Sequence, residues 1–359
     1  MGNIEHNWLL YLVSFSVAFG ICLLLTPWSK KVSAKLGAID MPKARGMHKK
    51  PIPRMGGIAI VLGFAVSMAL TSFFMEEIRS LQFLGFAVGG IIIVVLGMVD
   101  DVKNLPSKLK LAFQIAAALI VVFTGTRIEF IDWPFMEVLG YFSVPFTILW
   151  IVGIVSAVNL IDGVDGLAAG VTSIASLFLT ILCIITGSPL AIVFTATLAG
   201  SCLGFLPRNF SPAEVIMGDT GATFLGYVLA VSSIIGVYKT YALLSLVIVG
   251  FVLFLPIFDT FFVMIKRLLS GKPIMTADRG HFHHKLIDLG YSHKKTVIIL
   301  YTVSIICGGI SILIALRSIT AAVVTLVLLV VLLSIIYSYR KRIGGENGKN
   351  SESESNEKI

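Results

Sequence analysis

The sequence predicts an all-α polytopic membrane protein with about eleven transmembrane helices, an external N-terminus and a cytoplasmic C-terminus. Three observations lead to this fold class. First, 57% of the 359 residues are hydrophobic and only 13% are charged, about half the charged fraction of a soluble domain. Second, the apolar residues form runs of about 20, the length that a helix needs to cross a bilayer. Third, Lys and Arg are concentrated in alternate connections between these runs.

Eleven apolar runs follow one another along the chain. Lipid offers no hydrogen bonds to the backbone, so each run is predicted to be a helix. The first run has no preceding Lys or Arg and no evident cleavage site, which favours a retained helix over a signal peptide. Between the fourth and fifth runs, residues 126–145 alternate polar and apolar side chains, a pattern typical of a small hairpin. The runs cover approximately residues 8–26, 56–75, 82–99, 109–125, 142–158, 167–186, 190–206, 222–237, 242–265, 296–316 and 320–338.

The positive charges set the predicted orientation. With the N-terminus outside, 24 of the 28 Lys and Arg residues fall on the inner side. The net charge of +8 therefore reflects membrane topology and attraction to anionic headgroups rather than nucleic-acid binding. Residues 1–338 are predicted to form a single membrane domain, and the polar residues 339–359 a disordered tail. The cysteines are predicted to be apolar core residues: Cys22, Cys183, Cys202 and Cys307.

Carboxylates stand where apolar runs end on the predicted cytoplasmic side. Asp100 and Asp101 are adjacent after the third run, and like charges this close raise a pKa or require a cation. Asp219 lies between glycines before the eighth run, where it would either belong to an anion-binding helix start or cap that helix itself. Either position could also simply mark the end of a helix.

The segment NLIDGVDGLAAG follows the fifth run. Asn159, Asp162 and Asp165 recur every three residues, a spacing that would place them on one helical surface. Gly163 and Gly166 permit a close backbone approach or a broken helix end. Ionisable groups at this depth usually face a cavity, so a polar cleft is predicted here.

Two basic segments lie on the same side. One holds an arginine and three histidines within six residues, a density that indicates either a metal site or an anion cradle: Arg279, His281, His283 and His284. The other is a Pro- and Gly-rich loop whose charges the positive-inside rule partly explains: Asp40, Arg45, His48, Lys49, Lys50 and Arg54.

Taken together, these residues indicate phosphoryl transfer at the membrane. Oxygen ligands without nearby cysteine favour Mg²⁺, with Mn²⁺ as the alternative, and such ions are normally shared with substrate phosphates. Arginine and histidine would bind the remaining phosphate charge. The apolar bulk of the chain indicates that one substrate is a lipid. The sequence therefore predicts a metal-dependent transferase acting on a lipid phosphate and a cytosolic, phosphate-bearing donor.

The motifs DDVKNLPSKLK, NLIDGVDGLAAG, AEVIMGDTGATFLG and DRGHFHHKL, in this order, resemble the polyprenyl-phosphate N-acetylhexosamine-1-phosphate transferase family. The resemblance runs from about Pro27 to Gly290. It is greatest to the branch that uses N-acetylglucosamine, because Phe282 interrupts the run of three histidines typical of the lipid I branch. Ile216 also departs from the aromatic residue that stacks on uracil in the lipid I branch.

The resemblance implies a role for each motif. Asp219 would be the principal metal ligand, joined by Asn159, and Asp162 would support the metal shell. Asp100 or Asp101 would act as base or orient the lipid phosphate. Asp165 and the Gly163 backbone would contact uracil. The diphosphate or sugar would be bound by Arg279, His281, His283 and His284, and further site roles are expected for Lys50, Arg54 and Asp259.

The predicted reaction is UDP-GlcNAc plus undecaprenyl phosphate giving GlcNAc-diphosphoundecaprenol and UMP, in the cytoplasmic membrane of a bacterium. The product would initiate a cell-wall glycan such as teichoic acid or O-antigen. Homodimers are expected from the family. Three alternatives remain at this stage: a lipid I synthase using UDP-MurNAc-pentapeptide, a transferase for another N-acetylhexosamine, and a secondary transporter of an anionic solute. A transporter would carry its polar groups near the bilayer midplane and show an internal repeat.

Overall fold

The structure is a computed structural model that describes residues 8–41, 51–128, 136–237, 242–269, 282–328 and 330. Lys50, Arg279 and His281 therefore lie outside the described residues, as does the predicted tail 339–359. Within the described part, the chain is almost entirely helical, as predicted. The helices are α1 (Trp8–Leu36), α2 (Gly57–Thr71), α3 (Leu81–Lys103), α4 (Ser107–Phe123), α5 (Met136–Ile161), α6 (Leu167–Thr186), α7 (Pro189–Asn209), α8 (Gly218–Val237), α9 (Ala242–Val252), α10 (Phe254–Leu269), α11 (Phe282–Asp288), α12 (His293–Ala315) and α13 (Ile319–Leu328), with a short 3₁₀ helix at Glu76–Arg79.

The described helices confirm a multi-pass membrane protein. Seven of them are long and apolar enough to cross a bilayer within the described ranges: α1, α3, α5, α6, α7, α8 and α12. Four further predicted spans correspond to shorter helices, namely α2, α4, the pair α9 and α10, and α13. The count of eleven and the orientation stay predictions.

Three local predictions need correction. The ninth apolar run is two helices rather than one, because Pro256 lacks the N–H that would continue α9 into α10. The predicted hairpin is wrong from Met136 onward, where α5 begins and continues through Pro145. The first helix continues ten residues beyond the predicted end at Thr26, through Pro27 to Leu36.

Helix α8 lies at the centre of the bundle. It packs against α2, α3, α5, α6 and α7, and every residue from Thr220 to Gly236 is buried. Glycines bring two neighbours into backbone contact with it. A Cβ at Gly97 of α3 would lie 2.5 Å from Thr220 Cα, and one at Gly57 of α2 would lie 2.2 Å from Gly221 N. Small residues are what let helices approach this closely in membranes.

Aromatic rings and cysteines fill the interior around α8. Phe86 stacks on Phe194 and on Tyr227, with ring centroids 4.2 and 5.5 Å apart, and the Tyr227 hydroxyl donates to Phe86 O. All four cysteines are free and buried, which confirms their prediction as core residues.

A short ribbon leads into the first turn of α2. Strands β1 (Ile39–Asp40) and β2 (Ile52–Pro53) pair antiparallel and close the basic loop between them. Pro53 O accepts from Ile216 N, and Gly57 N donates to Met217 O, so this chain segment lies beside the one that enters α8. Arg54 is thereby placed at the start of α8.

Candidate active site

Three carboxylates meet where α3 ends and α8 begins, as the separate motifs predicted. Asp100 and Asp101 are 2% and 4% exposed, although both are charged residues in a membrane helix. The Asp100 and Asp219 carboxyl groups both approach the same lysine, Lys110. Carboxylates this close cannot all be ionised unless cations neutralise them.

Asp101 anchors the first turn of α8. Its Oδ1 accepts from Asp219 N at 2.8 Å, while its Oδ2 accepts from Thr220 N at 3.0 Å and from Thr220 Oγ1 at 2.6 Å. Free N–H groups at a helix start attract negative charge, which explains a buried carboxylate at this point. The alternative that Asp219 caps its own helix is therefore wrong, because Asp101 supplies that cap across the α3–α8 contact.

Two cations neutralise the cluster. Arg54 reaches Asp219 Oδ2 at 2.5 Å through its terminal nitrogen and Asp101 Oδ1 at 3.3 Å through Nε. Burial alone would lower the pKa of Arg54, but Asp219 and Asp101 outweigh it and the pKa is raised. Lys110 of α4 forms an ion pair with Asp100 and lies 4.0 Å from Asp219 Oδ2.

Lys110 is the site residue that sequence reasoning missed, since the positive-inside rule accounted for its charge. The short connection between Asp100 and Lys110 could have indicated this role. Asn104 has φ of 50° and ends α3, and Leu105 N donates to Asp100 Oδ1 at 2.7 Å. That tight connection starts α4 alongside α3, so a lysine in the first turn of α4 points back to the carboxylates.

Asn159 joins the cluster from the end of α5, where its amide N–H favours the charged form of the Asp219 carboxylate. The spacing had predicted that Asp162 and Asp165 would continue the helical surface of Asn159. They do not, because α5 ends at Ile161 and Gly166 has φ of 77°. The broken helix end is what the glycines produce. Burial, followed by the negative charges of Asp219 and Asp101, raises the pKa of Asp162 well above its ordinary value.

Asp165 supports a neighbouring loop. Its Oδ2 accepts from Ala213 N at 3.0 Å, which ties the turn after α5 to the segment between α7 and α8. Asn209 adds a second tie, because Oδ1 accepts from Gly166 N and Nδ2 donates to Val215 O. Tyr301 of α12 donates to Gly166 O as a third. The turn that carries the predicted uracil contacts is thus held by α7, by α12 and by the segment between α7 and α8.

Histidine reaches this turn from α11. His283 is only 2% exposed, and its Nε2 lies 3.0 Å from where a Cβ at Gly163 would stand, so only glycine leaves this space. The His284 ring lies beside it, with centroids 4.3 Å apart. Two of the four predicted diphosphate ligands therefore lie beside the turn that follows α5.

The protein oxygens at this place could supply only part of the ligand shell of a hard divalent cation. Across the described ranges, no three His, Cys, Asp or Glu side chains form a ready-made metal cluster. The Asp219 and Asp100 carboxylates nevertheless lie at one place, where both approach Lys110. Mg²⁺ is usually bound by one or two carboxylates and completes its shell with water and substrate phosphates, so this donor set is sufficient for it.

Comparison with known proteins agrees with the motifs. Residues 83–237 match the family described as glycosyl transferase family 4. The chain is 37% identical over 336 residues, 93% of either chain, to a probable undecaprenyl-phosphate N-acetylglucosaminyl 1-phosphate transferase of Bacillus subtilis. The chain belongs to glycosyl transferase family 4.

Two other relatives mark the breadth of this family. A decaprenyl-phosphate N-acetylglucosaminephosphotransferase of Mycolicibacterium smegmatis is 31% identical, covering 84% of this chain and 81% of its own. A phospho-N-acetylmuramoyl-pentapeptide-transferase of Staphylococcus saprophyticus is 30% identical, covering 84% and 97%. The family resemblance predicted from the four motifs is confirmed, and those motifs supply every carboxylate of the cluster.

Proposed function

We propose that the chain transfers GlcNAc-1-phosphate from UDP-GlcNAc to undecaprenyl phosphate, giving GlcNAc-diphosphoundecaprenol and UMP. The observation that carries this proposal is the meeting of Asp100, Asp101 and Asp219 with Arg54 and Lys110 at one end of the bundle. Phosphoryl transfer requires mainly positioning and charge neutralisation, and this cluster offers both. Family membership supports a polyprenyl phosphate and a sugar nucleotide as the substrate classes.

In the proposed step, an oxygen of the lipid phosphate forms a bond to the sugar-proximal phosphorus of UDP-GlcNAc. The bond from that phosphorus to the bridging oxygen breaks, and UMP leaves with the electron pair. Lys110 and Arg54 are placed to hold the phosphate groups while the charge redistributes. A phosphate monoester with a second pKa of about 6 is already largely ionised at neutral pH, so little base catalysis is required.

The contacts favour Asp100 over Asp101 as the residue that orients the lipid phosphate. Both Asp101 oxygens already accept hydrogen bonds from the start of α8, so moving this side chain would uncap the central helix. Asp100 Oδ2 pairs with Lys110 and has no well-directed hydrogen bond among the described residues. A two-step route through a phosphorylated Asp100 would be detected by trapping labelled enzyme from UDP-GlcNAc without lipid.

A divalent metal is part of the proposal. Mg²⁺, or Mn²⁺ in its place, would be held by Asp219 with Asn159 and Asp162 and would neutralise the donor diphosphate. His283 and His284, together with Arg279 and His281, would bind the remaining diphosphate or sugar oxygens, and Lys50 would add positive charge. Asp165 and Gly163 would contact uracil from the turn that Tyr301 and Asn209 hold.

Lipid I synthesis is the second candidate. The comparisons favour the N-acetylglucosamine branch, because that relative is 37% identical and the pentapeptide transferase 30%. Another N-acetylhexosamine donor remains the narrower alternative. The transporter hypothesis loses its support, because the carboxylates lie at helix ends and the chain belongs to a transferase family. We place the enzyme in a bacterial cytoplasmic membrane, as an expected homodimer, at the start of a cell-wall glycan such as teichoic acid or O-antigen.

The test measures UMP release by the purified full-length protein in detergent with undecaprenyl phosphate. UDP-GlcNAc, UDP-GalNAc and UDP-MurNAc-pentapeptide are compared, each with Mg²⁺, Mn²⁺ or EDTA. Metal-dependent release from UDP-GlcNAc alone is expected. Release from the pentapeptide donor only would move the protein to lipid I synthesis, and release unaffected by EDTA would remove the metal from the proposal.

A further inference from the structure

Asp259 carries a buried carboxylate that the proposed reaction does not use. It lies in α10, is 2% exposed, and accepts a hydrogen bond on Oδ1 from Phe282 N at 2.7 Å. Phe282 is the first residue of α11, the short helix that carries His283 and His284. The carboxylate therefore occupies the helix start, where backbone N–H groups have no partner within the helix.

The ring of Phe282 is held from the same side. It lies 5.7 Å from the Phe258 ring and 5.9 Å from the Phe262 ring, one turn apart on α10 and on either side of Asp259. Residues 258, 259 and 262 share one helix face, so α10 holds both the backbone and the side chain of Phe282. The residue that interrupts the histidine run is thus an anchor rather than a lost ligand.

This anchoring determines where His283 lies. Fixing Phe282 on α10 leaves the next side chain directed away from α10, and His283 lies against Gly163. A helix of seven residues is too short to be stable alone, so its position depends on its tertiary contacts. These are the contacts of Phe282 with α10, the packing of Leu286 and Ile287 on the core, and the contact of α11 with α12.

We propose that Asp259 is a positioning residue that acts through His283: by capping α11 it seats this imidazole on the turn between α5 and α6. The role of His283 in turnover rests on the proposed function, whereas its placement by Asp259 does not.

The first experiment reads the placement without any substrate. Diethyl pyrocarbonate labels accessible imidazoles, and peptide mass spectrometry measures the rate at each histidine of the full-length protein in detergent, with His293 as internal reference. Asp259→Ala should raise labelling of His283 at least fivefold. Asp259→Asn keeps an oxygen acceptor for Phe282 N and should stay within about twofold of wild type. Asp288→Ala, at the exposed far end of the same helix, is the matched control and should change nothing.

The second experiment asks whether activity is lost through His283. Asp259→Ala should lower kcat/KM for UMP release by about 10- to 100-fold, the effect expected of a displaced site group. His283→Ala should cost at least as much, and the double variant no more than His283→Ala alone, because residues acting through one another are not additive. Asp259→Asn should restore most of the activity.

The outcomes separate this inference from the proposed function. Unchanged His283 labelling in a folded Asp259→Ala protein, judged by gel filtration and thermal melting, would overturn the positioning role whatever the activity. Additive losses in the double variant, or an Asp259→Asn protein as impaired as Asp259→Ala, would overturn it too. If Asp259→Ala does not fold, the positioning role is tested on Asp259→Asn, by its His283 labelling and its activity. Absence of UMP release in wild type would reject the proposed function and leave the labelling result standing.

Discussion

The carboxylates and the histidines of the candidate site are held by two differently built parts of the molecule. Asp101 and Asp219 sit on helices that touch backbone to backbone at Gly97 and Thr220, in the buried centre of the bundle. His283 sits on a seven-residue helix that is joined to α10 by one capping hydrogen bond and the Phe282 ring and that also contacts α12. On the carboxylate side, the groups that do the proposed chemistry also hold the fold together. On the histidine side, placement can be lost while the fold survives.

The largest effect is expected at Asp219. Asp219→Ala removes a proposed metal ligand and leaves Arg54 without its nearest carboxylate, so UMP release should fall about 1000-fold or more. Glu214→Ala is the control, since this exposed carboxylate lies five residues before Asp219 and pairs with Lys30 and Arg208 instead. Comparable kcat in Asp219→Ala and wild type would refute the metal assignment.

A smaller change should separate the two regions through stability. Gly97→Ala places a methyl group 2.5 Å from Thr220 Cα, so α3 and α8 must move apart at the point where Asp101 caps α8. Such overpacking costs about 1–3 kcal/mol. The variant should melt at a lower temperature in detergent and lose activity in parallel.

Gly153→Ala is the matched control for this prediction. It also lies in a membrane helix, α5, but a Cβ there meets nothing within 4 Å. Alanine is the better helix former, so the melting temperature should stay equal or rise. Equal melting of Gly97→Ala and wild type would show that the α3–α8 contact is looser than described.

The same contrast explains how much could be predicted from the sequence. Long apolar runs predicted the helices, and the positions of Asp100, Asp101 and Asp219 at run ends predicted their meeting. Hydropathy could not show the break before Pro256, because both helices on either side of it are apolar. The sequence also could not show which carboxylate caps α8. That cap depends on the α3–α8 contact, in which Asp101 and Asp219 meet although they are 118 positions apart in the chain.

The ion-pair and hydrogen-bond partners of individual charged residues were the hardest feature to predict from the sequence. Lys110 looked like a topology signal, since any lysine on the inner side satisfies that rule, and the site role expected for Arg54 named no partner. Asp259 stood within an apolar run with no local motif, and only the return of the chain at Phe282 gives it a partner. Pairings of this kind depend on tertiary contact rather than on local pattern.

A more selective effect is expected in the turn that the two regions share. Asp165→Asn keeps an oxygen that can accept from Ala213 N but removes the charge proposed to face uracil. KM for UDP-GlcNAc should rise about tenfold, equivalent to about 1.4 kcal/mol of lost binding, with kcat within about twofold. A fall in kcat at unchanged KM would instead make Asp165 part of the transfer step.

The smallest effect should come from Lys285, and it sharpens the comparison most. Its Nζ lies 3.9 Å from the Phe262 ring centroid and 5.1 Å from that of Phe282, over the rings that anchor α11. Burial, with a contribution from Lys266, lowers the pKa of Lys285, so part of the cation–π attraction is already offset. At partly exposed sites this attraction amounts to only about 0.5–1 kcal/mol. Lys285→Met keeps the apolar stem and the Asp259 cap, so UMP release and His283 labelling should both stay within about twofold of wild type. An effect as large as that of Asp259→Ala would mean that charge on the aromatic rings, rather than the cap on Phe282 N, holds the histidine helix in place.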